Sequence, residues 1–223
     1  MTVRRISACL VILGLFGCRE PSPPPAARPP AAAPAADASR EPIPSARDSP
    51  PALAGGQQES ISLEVKSWGQ TEQLIAAQKG KVVVVDMWST WCEPCVREFP
   101  NLVTLHRAHP NAVVCLSFNL DYSGAAGETP ESFREAVSEF LNKQGATFQN
   151  LISSDATDDV FQRLKLVSIP AVLVYGPDGQ LAKRFDNDDG LYGEEGFTYE
   201  KHIVPLVEQL LAKAGDDRDG KGF

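Results

Sequence analysis

The chain has 223 residues and a formal net charge of -8, and eleven of its eighteen prolines lie between Pro21 and Pro51. That proline- and alanine-rich segment cannot recover its conformational entropy by burying apolar surface, so we expect only residues 60–214 to fold, as one domain. The acidic charge and the lack of a Lys/Arg run after Arg5 argue against a nucleic-acid partner.

Residues 1–17 have the pattern of a secretory signal peptide. Two arginines precede an apolar run, residues 6–16, which is too short to cross a bilayer as a helix. The run ends in Gly17-Cys18, which resembles the lipobox of bacterial lipoproteins. That resemblance implies a lipid on Cys18 and an extracytoplasmic protein, anchored to a bacterial membrane and facing the periplasm. The alternative is an ordinary signal peptide that is cleaved elsewhere.

Residues 18–59 would then form the anchor and a tether. Proline-rich chains favour extended, semi-rigid spacers, so this segment is expected to hold the folded domain away from the membrane surface. A disordered linker without that role is the alternative interpretation.

The five cysteines are too few and too irregularly spaced for a disulfide scaffold. Cys9 belongs to the apolar N-terminal run, and Cys115 lies alone in another apolar run, as is typical of a small buried hydrophobic residue. Cys92 and Cys95 form a CxxC pair, which occurs both in redox centres and in halves of zinc sites. No second Cys or Cys/His pair would complete such a site, so we predict no metal and no other cofactor.

Strands and helices alternate along the predicted domain. The valine-rich run at residues 81–88 predicts a strand that is buried on both faces. A helix follows from Glu93, with Pro94 tolerated in its first turn and Pro100 inside it. Residues 112–120 predict a second buried strand.

The second half of the domain continues the alternation. Thr129-Pro130 predicts the start of an amphipathic helix. The later elements are a short strand, a short helix, a β-hairpin, an acidic surface loop, a closing helix from about Val204 and a flexible tail, at residues 147–152, 158–164, 171–185, 186–197, 204–214 and 215–223 respectively. This order indicates an α/β fold in which helices cover both faces of a central sheet.

The CxxC pair begins where the first predicted strand meets the first predicted helix. A helix N-terminus stabilises a thiolate, the nucleophile of disulfide exchange, and Cys92 occupies that position. Cys95 lies one helical turn further on, where it can attack a mixed disulfide and release the partner. The pattern therefore favours a redox centre.

Residues 87–100, MWSTWCEPCVREFP, resemble the active-site signature of the TlpA/ResA branch of thioredoxin-like proteins. Residues 167–170, VSIP, followed by an apolar strand and PDG at 177–179, are similar to the cis-proline loop and hairpin of that family. The resemblance implies a thioredoxin fold, with a central mixed β-sheet flanked by helices. Residues 123–152 match the TlpA-type insertion after the strand at 112–120.

The resemblance also implies an activity and roles for individual residues. The chain would be a thiol-disulfide oxidoreductase in which Cys92 is the exposed attacking thiol and Cys95 the buried resolving thiol, joined when oxidised. Asp86 and Glu98 would be catalytic acids that shuttle the proton of Cys95, although a strand-end and a solvated carboxylate are the alternatives. Ser117 falls near the place of the lysine that accompanies the buried acid of thioredoxin. Four further residues would bind the substrate, with the second proline in cis: Trp91, Pro94, Ile169 and Pro170.

Trp91 has core packing as its alternative role. Glu93 and Glu98 oppose the helix dipole that would stabilise the Cys92 thiolate, which favours a reductant.

The expected partners are protein disulfides and a membrane thiol donor. Apocytochrome c is one candidate substrate because the family serves cytochrome c maturation. We expect a monomer.

Three other functions occur on related folds. A copper metallochaperone would carry CxxxC and a distant histidine, whereas this chain has CxxC and no histidine near Pro170. A peroxidase would need a Thr-x-x-Cys arrangement, which is absent from the sequence. A redox-inert interaction domain is disfavoured because both cysteines are present.

Overall fold

The structure is a computed structural model that describes residues 61–187 and 190–219. Within these residues, strands and α-helices alternate from Ser62 to Tyr175, and a second consecutive strand then precedes the last helix. A 3-10 turn precedes α3 and a π-helical turn, Tyr199–Ile203, precedes α5. The elements are β1 (Ser62–Lys66), α1 (Trp68–Ala76), β2 (Val82–Trp88), α2 (Glu93–Ala108), β3 (Val113–Asn119), α3 (Arg134–Gln144), β4 (Gln149–Ser153), α4 (Thr157–Leu164), β5 (Ala171–Tyr175), β6 (Leu181–Phe185) and α5 (Val204–Asp219).

The strands form one mixed sheet in the order β1-β4-β3-β2-β5-β6. The first four strands in that order are parallel, and β5 and β6 add to them as an antiparallel hairpin. All seven residues of β2 are buried, because β2 lies in the middle of the sheet and both of its faces are covered. The predicted α/β fold, a thioredoxin-like mixed sheet flanked by helices, is confirmed.

The two faces of β2 belong to two different apolar clusters. Val82, Val84 and Trp88 pack in the cluster that contains both cysteines of the CxxC pair. Val83, Val85 and Met87 pack in the other cluster. Since side chains alternate along a strand, Asp86 points to the same face as Trp88, toward the cysteines.

The predicted insertion contributes α3 and β4. Strand β4 pairs on one side with β3 and on the other with β1, so the insertion widens the sheet instead of lying on its surface. The structure has β1 and α1 within residues 61–80, where the sequence patterns predict no element. Ser67 caps α1 by accepting the N–H of Gln70, whose side chain accepts the N–H of Ser67 in return.

The prediction that residues 186–197 form a surface loop is wrong for the aromatic residues of that run. Phe197 is only 3% exposed, and Tyr192 packs against both Phe197 and Phe185. These rings hold the loop on the core because their burial outweighs the polarity of the acidic residues between them. Leu191, by contrast, is 73% exposed.

The closing helix also departs from its predicted end at residue 214, since α5 continues through Gly215 to Asp219. A glycine costs a helix only about 1 kcal/mol relative to alanine, so it does not stop one that is already formed.

The signal peptide, Cys18 and the linker lie outside the described residues. In the described part of the chain, no helix is both long enough and apolar enough to cross a membrane.

Candidate active site

The CxxC pair is a disulfide at the start of α2. The sulfurs of Cys92 and Cys95 are bonded, and the two Cα atoms are 5.3 Å apart. Cys92 is the N-cap of the helix, and its Sγ accepts the backbone N–H of Cys95 at 3.4 Å. The bonded sulfurs therefore lie at the positive end of the helix dipole.

The expected exposure of Cys92 is wrong for this oxidised form. Cys92 is 5% exposed and Cys95 is 2% exposed, so both residues are buried. The reason is local, because the Sγ of Cys92 turns over the end of the helix to meet the Cys95 N–H and sulfur.

Asp121 fixes the loop that connects β2 to Cys92. Its two carboxylate oxygens accept the backbone N–H and the hydroxyl of Thr90, each at 2.9 Å. Asp121 is 6% exposed and follows β3, whose last residue pairs with the last residue of β2. Asp121 is not among the predicted site residues; its signal in the sequence is a carboxylate directly after a buried strand that neighbours the strand leading to the cysteines.

Asp86 and Glu98 are brought together by Tyr199, which is also not among the predicted site residues. The Tyr199 hydroxyl donates to Oδ2 of Asp86 at 2.5 Å. The backbone N–H of Tyr199 donates to Oε2 of Glu98 at 3.3 Å. Tyr199 and Asp86 are 1% and 4% exposed, so the alternative role of Asp86, a partly exposed strand-end carboxylate, does not apply.

Burial raises the pKa of Asp86 from 3.8 to about 7. The hydrogen bond from Tyr199 lowers this pKa, and the nearby charge of Glu98 raises it. Ser117, which pairs with Asp86 across β2 and β3, gives its hydroxyl hydrogen to Asn150. An acid that titrates near neutrality can accept and return a proton under physiological conditions.

The four predicted substrate-binding residues lie on two segments. The Ile169–Pro170 peptide bond is cis, and Ile169 packs against the cluster that contains both cysteines. Pro170 precedes β5, whose first residue pairs with Met87 near the end of β2. Trp91 is 67% exposed, so core packing is not its role, and Pro94 is exposed as well. Their contact with substrate stays a prediction.

A groove of about 330 Å³ runs beside the CxxC segment. Glu93, Pro94 and Arg97 line one side, and residues of the loop after β6 line the other. Arg97 lies 3.9 Å from Glu93, and both side chains are mostly exposed, so water screens this pair.

Cys115 is a free thiol on β3 and is 2% exposed. Burial, with a smaller contribution from the charge of Asp86, raises its pKa above the usual value for a thiol. A buried thiol that resists ionisation is a poor nucleophile. Among the described residues, no three His, Cys, Asp or Glu side chains group closely enough to hold a metal ion.

Comparison with known proteins gives a consistent family. The model of the Redoxin family matches residues 39–194. Sporulation thiol-disulfide oxidoreductase A of Bacillus subtilis is 24% identical over 113 residues, which are 50% of this chain and 63% of that protein. Thiol-disulfide oxidoreductase ResA of the same organism is 27% identical over 106 residues, 47% of this chain and 52% of that protein. The chain thus matches little more than half of the length of these relatives.

A solved structure of a secreted Mycobacterium tuberculosis disulfide oxidoreductase, homologous to E. coli DsbE, is 23% identical, with a TM-score of 0.44. The similarity covers 61% of this chain and 85% of that one. Because the Redoxin family model matches more than half of this chain, the chain belongs to the Redoxin family.

Proposed function

We propose that this protein is a thiol-disulfide oxidoreductase that exchanges the Cys92–Cys95 disulfide with disulfides of other proteins. The observation that carries the proposal is the pair of bonded sulfurs at the N-terminus of α2, on the sheet face that also holds a buried acid with a pKa of about 7. The relatives that are named thiol-disulfide oxidoreductases support it.

In the reductive direction, the Cys92 thiolate attacks one sulfur of the substrate disulfide. A mixed disulfide forms and the other substrate sulfur leaves as a thiolate. Cys95 then gives its proton to Asp86 and attacks the Cys92 sulfur. The Cys92–Cys95 bond forms, and the second substrate sulfur leaves as a thiolate that takes up a proton. Two electrons pass from the enzyme to the substrate.

The proposed direction is reduction, and it rests on the carboxylates near the sulfurs. Glu93 is in the first turn of α2, and Glu98 lies close enough to Asp86 to raise its pKa. Negative charge at a helix N-terminus opposes the dipole that stabilises a thiolate, which favours the disulfide form of the enzyme. We expect a potential closer to about -270 mV, the thioredoxin value, than to about -120 mV, the value of a strong oxidant.

The test of the exchange reaction uses one substitution at each cysteine. Cys92→Ser removes the attacking thiol and should abolish reduction of a protein disulfide such as that of insulin. Cys95→Ser keeps the attacking thiol and should accumulate a mixed disulfide with the substrate, visible as a dithiothreitol-sensitive band on a non-reducing gel. The matched control is the double variant, which should form no such band. A Cys95→Ser protein that still turned over would refute the proposal.

The proposed location is extracytoplasmic, with a lipid on Cys18 anchoring the protein to a bacterial membrane. The support is the sequence alone: the charged start, the short apolar run and the cysteine at its end. A protein held there would need a membrane thiol donor to regenerate its dithiol, and extracytoplasmic proteins, apocytochrome c among them, would be its substrates. Metabolic labelling with a fatty-acid analogue should depend on Cys18. Equal labelling of a Cys18→Ala variant would contradict the anchor.

A further inference from the structure

Tyr199 comes from the segment before α5, more than a hundred residues after Asp86, and its hydroxyl is bonded to the carboxylate of that acid. We propose that Tyr199 is a positioning residue that holds the Asp86 carboxylate for proton transfer and sets the pH range in which Cys95 can resolve a mixed disulfide. The inference rests on the proposed exchange activity and adds to it a residue outside the CxxC segment.

The geometry of Tyr199 is fixed from both ends. Its hydroxyl donates to Asp86 at 2.5 Å and its backbone N–H donates to Glu98 at 3.3 Å. The backbone before it is held as well, since His202 Nδ1 accepts the N–H of Thr198 at 2.9 Å. Tyr199 is 1% exposed and packs in the cluster that contains both cysteines. The phenol therefore reaches the acid from a rigid position.

Two titratable groups face this pair from the elements packed around it. Glu98 on α2 raises the pKa of Asp86, and Cys115 on β3 is affected by the charge of Asp86. Burial, followed by Asp86 itself, raises the pKa of the Tyr199 phenol well above its ordinary value, so the phenol stays protonated and can only donate to the carboxylate. Across the sheet, the neighbours of Asp86 are Ser117, whose hydroxyl donates to Asn150, and apolar Val172.

A donor aimed at a carboxylate stabilises its charged form. Burial and Glu98 both favour the protonated form of Asp86, and the Tyr199 hydroxyl works against them. Without that hydroxyl, Asp86 would hold its proton to a higher pH. It could then accept the proton of Cys95 only in a more alkaline range, and the attack of Cys95 on the mixed disulfide would be slowed at neutral pH.

The experiment uses the full chain with the substitution Tyr199→Phe, which keeps the ring and removes the hydroxyl. Cys9 and Cys18 are replaced by serine in every protein compared. The reduced protein is mixed with Ellman's reagent, and the second release of thionitrobenzoate, which reports resolution by Cys95, is followed by stopped flow across the pH range. Loss of one hydrogen bond to a charged group should raise the midpoint by about one pH unit. An acid that is half ionised becomes about one-tenth ionised, and the rate near neutral pH should fall about fivefold, with the two curves converging at alkaline pH.

Two controls separate this role from a structural one. Tyr175→Phe removes a hydroxyl from a half-buried tyrosine that packs on the other face of the sheet, and it should leave the profile unchanged. In an Asp86→Asn background, Tyr199→Phe should produce no further shift, because the titrating partner is gone. An unshifted midpoint in Tyr199→Phe, or an equal loss of rate at every pH, would overturn the inference. A wild-type chain that released no thionitrobenzoate would instead defeat the proposed exchange activity.

Discussion

The stability of this protein should depend on pH through Asp86, and Asp86→Asn isolates that dependence. Asparagine has nearly the same shape as aspartate, and its Oδ1 can still accept the Tyr199 hydroxyl. The substitution therefore removes a charge from a buried site without opening a cavity.

The raised pKa of Asp86 determines in which direction the free energy of unfolding changes with pH. In the folded protein Asp86 keeps its proton up to about pH 7, whereas the unfolded chain releases it near 3.8. Between these values the folded state binds more protons, so the free energy of unfolding falls as the pH rises, by about 1.4 kcal/mol per pH unit. Over about three pH units the loss amounts to about 4 kcal/mol. The full loss applies above the folded-state pKa, and none of it applies below the unfolded-state pKa.

The measurement is urea unfolding of the oxidised wild type and of Asp86→Asn at a series of pH values. Taking the difference between the two proteins removes the contribution of every other titrating group. Asp86→Asn should be more stable by up to about 4 kcal/mol at mildly alkaline pH, and the advantage should vanish at acid pH. Glu93→Gln is the control: it removes the charge of an exposed carboxylate on α2 and should show no such trend with pH. A difference that stayed constant with pH would refute the reasoning.

Three further predictions concern the loop, the helix charges and the core. Asp121→Ala leaves the N–H of Thr90 without its partner, and it should lower the free energy of unfolding by about 1–3 kcal/mol and slow disulfide exchange; intact exchange would contradict this role. Glu98→Gln should raise the reduction potential, measured against glutathione, with about 30 mV for each tenfold change in the equilibrium constant, and Glu93→Gln should shift it less because Glu93 is 92% exposed. Phe99→Ala empties a site that is 0% exposed, and it should cost about 3–5 kcal/mol in urea unfolding.

The sequence was sufficient for the parts of the fold that depend on local patterns. A run of β-branched residues is buried on both faces only in a central strand, and β2 is that strand. The hairpin of β5 and β6 follows from its Gly-Pro-Asp-Gly turn, in which Gly179 has a φ of 81°. The CxxC pair falls at the start of α2 because Pro94 is accepted in the first turn of a helix.

The order of the strands in the sheet was less accessible. The short β4 could be recognised as a strand, but its place between β1 and β3 depends on pairing across more than 80 residues. The run 186–197 shows the same limit. Its acidic residues and glycines are typical of a surface loop, whereas two of its aromatic rings pack against Phe185 at a distance that local periodicity does not reveal.

The candidate site likewise contains residues that local sequence predicts and residues that it does not. Cys92, Cys95 and Asp86 belong to one strand-to-helix unit, so their spacing alone brings them to one face of the sheet. Asp121 and Tyr199 reach that unit from other elements. The local sequence marks Asp121 by its place after a buried strand, but it does not distinguish Tyr199 from an ordinary core aromatic. Their hydrogen bonds to Thr90 and Asp86 act on the two properties that disulfide exchange requires, the position of the attacking sulfur and the charge of the proton acceptor. The residues that carry the sulfur chemistry are therefore local in sequence, while the residues that adjust it are supplied by the tertiary fold.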